Sequence, residues 1–174
     1  MDSKVRFRKA TIEDKALLEY WDTKQHVIDC DPNGSWNWEE DLANDSEFVE
    51  QYIAMLDTEP LGYLMIIDPA NEPTHYWGDV EQNLRAIDIW IGEERNLGKG
   101  FGTEMMNLAL EKCFTDSKVN AVLIDPLSSN KKAIRFYERL GFRYVETKFF
   151  DDDECYVMRL DREDFSILQR NNKT

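Results

Sequence analysis

The chain has 174 residues, of which 42% are hydrophobic and 12% aromatic. This length and apolar content are typical of one globular domain, so we expect a single domain over residues 1–174. The formal net charge of −14 argues against nucleic acid as a partner, because phosphate backbones are bound by clustered cationic side chains.

The sequence gives no sign of an export signal, a membrane span or a metal site. Residues 1–9 are charged and lack the apolar segment of a signal peptide. The longest apolar run, Leu61–Ile67, has 7 residues, whereas about 20 are needed to cross a bilayer. Cys30, Cys113 and Cys155 have no paired or zinc-like spacing, which fits a reducing compartment. We therefore expect a cytoplasmic protein with no membrane partner and no metal.

The first part of the chain predicts a strand, a helix and a hairpin. Val5 and Phe7 alternate with charged residues, as in a strand with one buried face. Thr11 begins a helix, since Asp14 stands at the capping-box position. The apolar stripe of this helix consists of Ile12, Leu17, Leu18 and Trp21. The elements predicted next are a loop over Asp29–Trp38, an acidic helix over Glu39–Ala43, and strands Phe48–Leu56 and Leu61–Ile67 joined by a turn at Asp57–Pro60.

The second part alternates strands with helices after a long loop over Asp68–Asn83. The predicted elements are strand Leu84–Ile91, helix Phe101–Phe114, strand Ala121–Ile124, helix Asn130–Leu140, strands Phe142–Phe150 and Cys155–Leu160, and a short helix after Asp161. This order predicts an α+β fold with a mostly antiparallel sheet flanked by helices.

The negative charge is concentrated in one window. Residues 25–84 contain 14 acidic residues and no Lys or Arg. Two interpretations are open: a solvated acidic surface, or a cleft that binds a cation. Four large rings in turn-rich parts of the window favour the cleft, since aromatic faces attract cations. These rings are Trp36, Trp38, Tyr76 and Trp77.

Three alternating glycines separate the strand at Leu84–Ile91 from the next helix. They lie in Leu97–Thr103, which reads LGKGFGT. Glycines let the main chain approach a ligand closely, and amides at a helix N-terminus hold phosphate oxygens. The spacing is neither that of a P-loop nor that of a Rossmann loop. Alone, this segment indicates either an anion-binding loop or a tight strand-to-helix turn.

Four further side chains are candidates for chemistry. Asp88 interrupts an apolar strand, so its carboxylate either faces a polar cavity or is paired with Arg85. Asn130 and Tyr137 are seven residues apart and share one helix face, where Tyr137 either lines a groove or edges the core. Asp125 stands before a proline at a strand end, a position that also suits a turn former.

Together, the glycine loop and the helix that follows one strand later resemble the GNAT superfamily of acetyl-CoA-dependent N-acetyltransferases. The helix matches the pattern Asn-x-x-Ala-x-x-x-Tyr-x-x-x-Gly-Phe, and the resemblance covers nearly all of the chain. It implies a splayed, V-shaped sheet with the pyrophosphate of acetyl-CoA on the loop amides, although Leu97 stands where Arg or Gln is usual. It implies pantetheine along Ile89–Ile91, contacts from Asn130 and Ala133, and Tyr137 as the acid that protonates the thiolate. The cofactor-binding residues implied are Ile89, Trp90, Ile91, Leu97, Gly98, Lys99, Gly100, Phe101, Gly102, Thr103, Asn130 and Ala133.

Within the superfamily the chain is most similar to the aminoglycoside 6'-N-acetyltransferases, which confer antibiotic resistance. The segments that carry this likeness are Ala86-Ile87-Asp88, Ile124-Asp125-Pro126, Leu61-Gly62-Tyr63 and Cys155-Tyr156-Val157-Met158. It implies that Asp88 contacts the amine and serves as base and that Asp125 helps to hold the acceptor, while Ile89 replaces a common Gln. The expected acceptor is a small polycation, and the transfer is direct rather than through an acyl-cysteine. The substrate-binding residues expected are Trp36, Trp38, Trp77, Asp79, Asp88 and Asp125.

Other functions remain open at this point. Related branches acylate hydroxylamines in siderophore synthesis or acetylate protein N-termini. A different class of function is a non-catalytic sensor that binds acetyl-CoA and a partner protein.

Overall fold

The structure is a computed structural model and describes residues 5–44 and 46–172. Asp45, one of the acidic residues of the window, and residues 1–4 of the charged start lie outside the described residues. The strands are β1 (Val5–Lys9), β2 (Val49–Leu56), β3 (Glu59–Ile67), β4 (Leu84–Ile91), β5 (Ala121–Ile124), β6 (Arg143–Phe150) and β7 (Asp153–Asp161). The helices are α1 (Lys15–Trp21), α2 (Gln25–Ile28), α3 (Trp38–Ala43), α4 (Phe101–Thr115), α5 (Lys131–Arg139) and α6 (Arg162–Asn171), with short 3-10 turns at Ile12–Asp14 and Glu94–Asn96.

The strands form one seven-stranded sheet in the order β1-β2-β3-β4-β5-β7-β6. β1 with β2, β2 with β3, β5 with β7, and β6 with β7 pair in antiparallel fashion. β4 and β5 are parallel, and their ladder covers only Leu84–Ala86 of β4. The predicted α+β fold with a mostly antiparallel sheet is therefore confirmed.

Contacts divide the chain into two compact units, of which the first joins the residues up to Ile67 with Asp88–Ala109. Its central strand β2 is buried on both faces, as period-2 alternation allows. Ile53 and Met55 belong to a cluster with Leu18 and Trp21 of α1, while Ala54 belongs to a second cluster. The members of that second cluster are Val5, Ala54, Leu61, Ile91 and Met105, the last from α4.

The second unit joins Asp68–Ile87 with the chain from Leu110 onward. Its C-terminal helix α6 is fixed at its first residue, because the Arg162 guanidinium donates to the carbonyl oxygens of Phe114, Asp116 and Val119. One turn later the ring of Phe165 stacks on Phe114 with 4.9 Å between centroids.

The predicted elements are present, with shifts that have local causes. Thr11 does form the capping box with Asp14, but the first turn is 3-10 and α1 starts at Lys15. The predicted turn at Asp57–Pro60 is shorter, because β3 already begins at Glu59 and a bulge at Ala54/Met55 shifts the register. The helix α2 was not predicted. None of the helices in residues 5–44 and 46–172 is long and apolar enough to cross a membrane.

Candidate active site

Asp88 lies in the second half of β4, in the first unit. No described residue donates a hydrogen bond to its carboxylate or forms an ion pair with it. Burial raises the pKa of Asp88 to about 6, and the negative charge of Asp31 acts in the same direction. The pairing with Arg85 is absent, since that guanidinium approaches Asp68 and Asp116 at 3.7 Å each. An odd separation along a strand also places Arg85 and Asp88 on opposite faces.

Four aromatic rings of the first unit pack into one cluster. The rings of Trp36 and Trp38 are stacked at 4.7 Å, and Tyr63 lies 4.5 Å from Trp90 and 5.2 Å from Trp38 between centroids. Trp38 is only 2% exposed, and its indole N–H donates to Asp22 at 2.5 Å. The Trp38 ring is thus part of the core, which differs from the solvent-facing ring expected from its turn-rich segment.

Tyr63, a buried member of this cluster, lies close enough to Asp88 for the Asp88 charge to raise its pKa. Its hydroxyl donates to the Gln51 side chain at 2.7 Å. Burial raises the pKa of Tyr63, and the charge of Asp88 is the next cause. Tyr63 therefore stays protonated and presents a neutral wall to the site.

A cavity of about 180 Å³ adjoins the aromatic cluster. It is lined by Asp22, Val27, Ile28, Cys30, Asp31, Pro32, Gly34, Trp36 and Trp90. Trp90 stands two residues from Asp88 and so shares its face of β4. Burial raises the pKa of Asp22. The cavity thus combines two carboxylates with indole rings, a lining that suits an ammonium group.

Sequence reasoning named neither carboxylate of this cavity as a site residue, although Asp31 belongs to the acidic window of residues 25–84. Asp22 precedes the acidic window, and Asp31 lies in a breaker cluster that resembles an ordinary turn. What separates them from the other acids is their position with Trp36 in the lining of one cavity, which the sequence does not give.

The glycine loop has an open main chain. Gly98 and Gly100 have φ values of 69° and 85°, a region that favours glycine. A Cβ built on either residue meets nothing within 4 Å. α4 begins at Phe101, and its first hydrogen bond runs from the Glu104 amide to the Gly100 carbonyl at 3.1 Å. The first amides of this 15-residue helix have no partner within the helix, so they are available to an anionic group at its N-terminus.

The loop side chains divide between core and solvent. Leu97 and Phe101 pack against the second cluster of the first unit. Lys99 and Thr103 are exposed, and Gly102 belongs to the first turn of α4. Leu97 thus fills a packing position.

Asn130 and Tyr137 lie on α5 in the second unit. Asn130 caps the helix, with its side-chain oxygen accepting from the Ala133 amide at 3.1 Å. The half-buried Tyr137 ring lies 5.1 Å from Phe136 and 5.8 Å from Phe142 between centroids. Both residues thus have a structural function in addition to the ligand contacts implied by the resemblance.

The remaining candidates lie in the second unit. Asp125 follows β5, and its Oδ2 accepts from the hydroxyl of Tyr76 at 2.7 Å. Trp77 is 4% exposed and packs edge-on against Phe150 at 5.2 Å, so its ring is not presented to solvent. Asp79 is exposed. A cavity of about 330 Å³ opens here, lined by Thr74, His75, Tyr76, Phe150 and Asp151.

The three thiols are free, with Cys113 and Cys155 buried and Cys30 exposed. Cys30 donates to the carbonyl of His26 at 3.3 Å, while the His26 ring nitrogen Nε2 bonds the carbonyl of Ile91 at 2.8 Å. Among the described residues, no group of three His, Cys, Asp or Glu side chains is arranged to hold a metal ion.

Comparisons with known proteins agree on one family. The model of the acetyltransferase (GNAT) domain matches residues 11–150. The aminoglycoside N(6')-acetyltransferase type 1 of Klebsiella pneumoniae is 30% identical over 175 residues, which are 92% of this chain and 85% of that protein. The protein of the same name from Serratia marcescens is 29% identical over 180 residues, or 95% of this chain and 87% of that protein.

Solved structures give the same result. The aminoglycoside acetyltransferase AAC(6')-Ib in complex with coenzyme A and kanamycin has a TM-score of 0.85 and 30% sequence identity, covering 95% of this chain and 99% of that chain. Another structure of that enzyme holds ribostamycin and coenzyme A, with a TM-score of 0.82 and 94% of this chain covered, against 96% of that chain.

Proposed function

Since the chain belongs to the GNAT acetyltransferases, we propose that it transfers the acetyl group of acetyl-CoA to the 6'-amine of an aminoglycoside. The observation that carries this proposal is Asp88, a carboxylate without a described hydrogen-bond donor on an apolar strand, near a cavity with acidic and indole walls. Relatives named for this reaction match more than nine tenths of the chain, which supports the same acceptor class.

Asp88 has the acid–base properties that the reaction requires of a base. The amine must lose a proton to attack the thioester. A carboxylate with a pKa of about 6 remains mainly ionised at pH 7.5, yet it is a stronger base than an ordinary aspartate. Asp88 therefore accepts this proton, directly or through a water molecule.

Acetyl-CoA is held in this proposal by backbone groups. The amides of Leu97–Thr103 bind the pyrophosphate, and the open positions at Gly98 and Gly100 leave room for it. The β4–β5 ladder covers Leu84–Ala86, so the later residues Ile89–Ile91 offer a strand edge to the pantetheine amides. Amides of the same strand polarise the thioester carbonyl.

Tyr137 is the proposed acid for the departing thiolate. A phenol O–H is a hydrogen-bond donor and can give its proton to a thiolate formed beside it. The packing of its ring on Phe136 and Phe142 holds the side chain at one position.

The acceptor is cationic in this proposal. Asp31 and Asp22 supply negative charge in the first unit, and the half-buried ring of Trp36 supplies an aromatic face. In the second unit, Asp125 and Asp79 are the proposed contacts. The buried rings of Trp38 and Trp77 then act by supporting neighbours rather than by touching the acceptor.

Release of CoA thiol from acetyl-CoA tests the proposal with a matched pair of acceptors. Neomycin and paromomycin differ in carrying an amine or a hydroxyl at the 6' position. We expect rapid thiol release with neomycin and kanamycin and little with paromomycin. Equal rates with neomycin and paromomycin would exclude the 6'-amine as acceptor. Release with hydroxylamines or peptide N-termini alone would favour the other branches, and binding of acetyl-CoA without release on any amine would favour a sensor.

A further inference from the structure

The long loop between β3 and β4 is organised around the buried Glu72. This side chain is 3% exposed, and a buried carboxylate requires hydrogen-bond donors. It accepts from the Thr74 amide at 2.7 Å, from the Thr74 hydroxyl at 2.7 and 2.9 Å, and from the Tyr76 amide at 2.9 Å. Because charge-assisted hydrogen bonds are strong, the backbone at Tyr76 is fixed.

The Tyr76 ring is fixed by a second contact within the same unit. It stacks on Phe150 with 4.5 Å between centroids and 9° between planes. The next residue, Trp77, is buried, and its carbonyl accepts from the Lys148 ammonium at 3.0 Å. Because the backbone and the ring of Tyr76 are both held, its hydroxyl can point in only one direction.

The Tyr76 hydroxyl points toward Asp125. The Tyr76 hydroxyl donates to Oδ2 of Asp125 at 2.7 Å. The backbone beside Asp125 is also held, because the Pro126 carbonyl accepts from the Tyr156 amide at 2.8 Å. A hydrogen bond at one carboxylate oxygen restrains rotation of the carboxylate plane, and such supporting bonds keep a binding group in its productive geometry.

We propose that Tyr76 is a positioning residue that orients the Asp125 carboxylate toward an ammonium group of the acceptor. This role rests on the proposed function, in which Asp125 binds the aminoglycoside. In this role the exposed Tyr76 increases the affinity for the acceptor and takes no part in the chemical step.

Kinetics of Tyr76→Phe test the role, because this variant loses only the hydroxyl and keeps the ring on Phe150. We expect the KM for kanamycin to rise about 3- to 10-fold, the size of one ordinary hydrogen bond, because the Asp125 carboxylate stays in place and loses only a restraining bond, with kcat and the KM for acetyl-CoA changed less than about twofold. Tyr144→Phe is the matched control, since Tyr144 is 51% exposed, its ring lies at a tilt against Tyr156, and its hydroxyl bonds among the described residues only the Thr147 hydroxyl. It should keep every wild-type constant.

A double-variant cycle with Asp125→Asn identifies the route of the effect. If Tyr76 acts through Asp125, Tyr76→Phe has no further effect on the KM for kanamycin in the Asp125→Asn background. Multiplying effects would mean that Tyr76 touches the acceptor itself and would overturn the positioning role. A wild-type KM in Tyr76→Phe would also overturn it while leaving the proposed function intact. If the wild-type enzyme acetylates no aminoglycoside, the proposed function fails, and the positioning role fails with it.

Discussion

Asp88→Asn should stabilise the protein at neutral pH while it removes activity. The pKa of Asp88 in the folded protein is raised from 3.8 to about 6, so the folded state holds a proton that the unfolded state releases between these values. Where the folded state binds more protons, unfolding free energy falls as pH rises. The unfolding free energy of the wild-type protein therefore falls between pH 4 and pH 6. The Asn variant has no carboxyl group at this position, so its unfolding free energy does not fall for this reason.

The magnitude follows from the pKa. At about 1.4 kcal/mol per pKa unit, a rise from 3.8 to about 6 corresponds to about 3 kcal/mol of unfolding free energy above pH 7. For a chain of this size, that difference corresponds to roughly 6–12 °C in Tm. The two proteins should have nearly equal stability close to pH 4.

Urea unfolding of wild type and Asp88→Asn between pH 4 and 8 measures the difference directly. Asp152→Asn is the control, because Asp152 is exposed in the β6–β7 turn and should leave the difference near zero at every pH. A difference that is independent of pH, or an Asn variant that is less stable at pH 8, would refute the assignment of Asp88 as a carboxylate buried at a cost. In the same variants, kcat should fall about 10²–10⁴-fold for Asp88→Asn, the usual contribution of a general base.

Three further results are expected. Gly100→Val should weaken acetyl-CoA binding strongly, as measured by calorimetry. A branched residue is strained at a φ of 85°, and its side chain obstructs the open main chain. Unchanged affinity in a folded variant would show that the loop is not part of the site. Tyr137→Phe should lower kcat about 10²-fold with little change in acetyl-CoA affinity, and a wild-type rate would leave Tyr137 a packing residue only. Raising salt should increase the KM for an aminoglycoside strongly and that for acetyl-CoA weakly, because attraction between exposed charges is screened beyond about 8 Å at physiological ionic strength and over shorter distances at higher salt; equal changes would contradict steering by the acidic window.

The fold could be predicted wherever local signals and tertiary packing agree. β4 and β5 have the predicted bounds, since each is an apolar run between turn residues. The Asp57–Pro60 turn was predicted too long, because Pro60 normally lies outside a strand but here lies in β3 beside a bulge in the ladder. Helix α2 has only four residues, too few for a periodic signal.

Motif residues could be assigned from sequence, but the surroundings of the site could not. The positive φ values of Gly98 and Gly100 agree with the glycine spacing. Trp38 and Trp77 were expected at the surface because turn formers surround them, yet both are buried. A ring at the end of a loop is buried when another element supplies a partner for its polar atom or face, as Asp22 does for Trp38 at the start of α3.

The acidic window also contains carboxylates of different kinds, and their contacts decide which can act on a cation. Glu72 is saturated by donors of its own loop, and Asp68 lies near Arg85. Asp31 instead lines a cavity and raises the pKa of Asp88 by repulsion. An ammonium bound there would replace repulsion with attraction, so acceptor binding should lower the pKa of Asp88. The charges that destabilise the free enzyme would then favour the acceptor complex, as expected if the acceptor is a polycation.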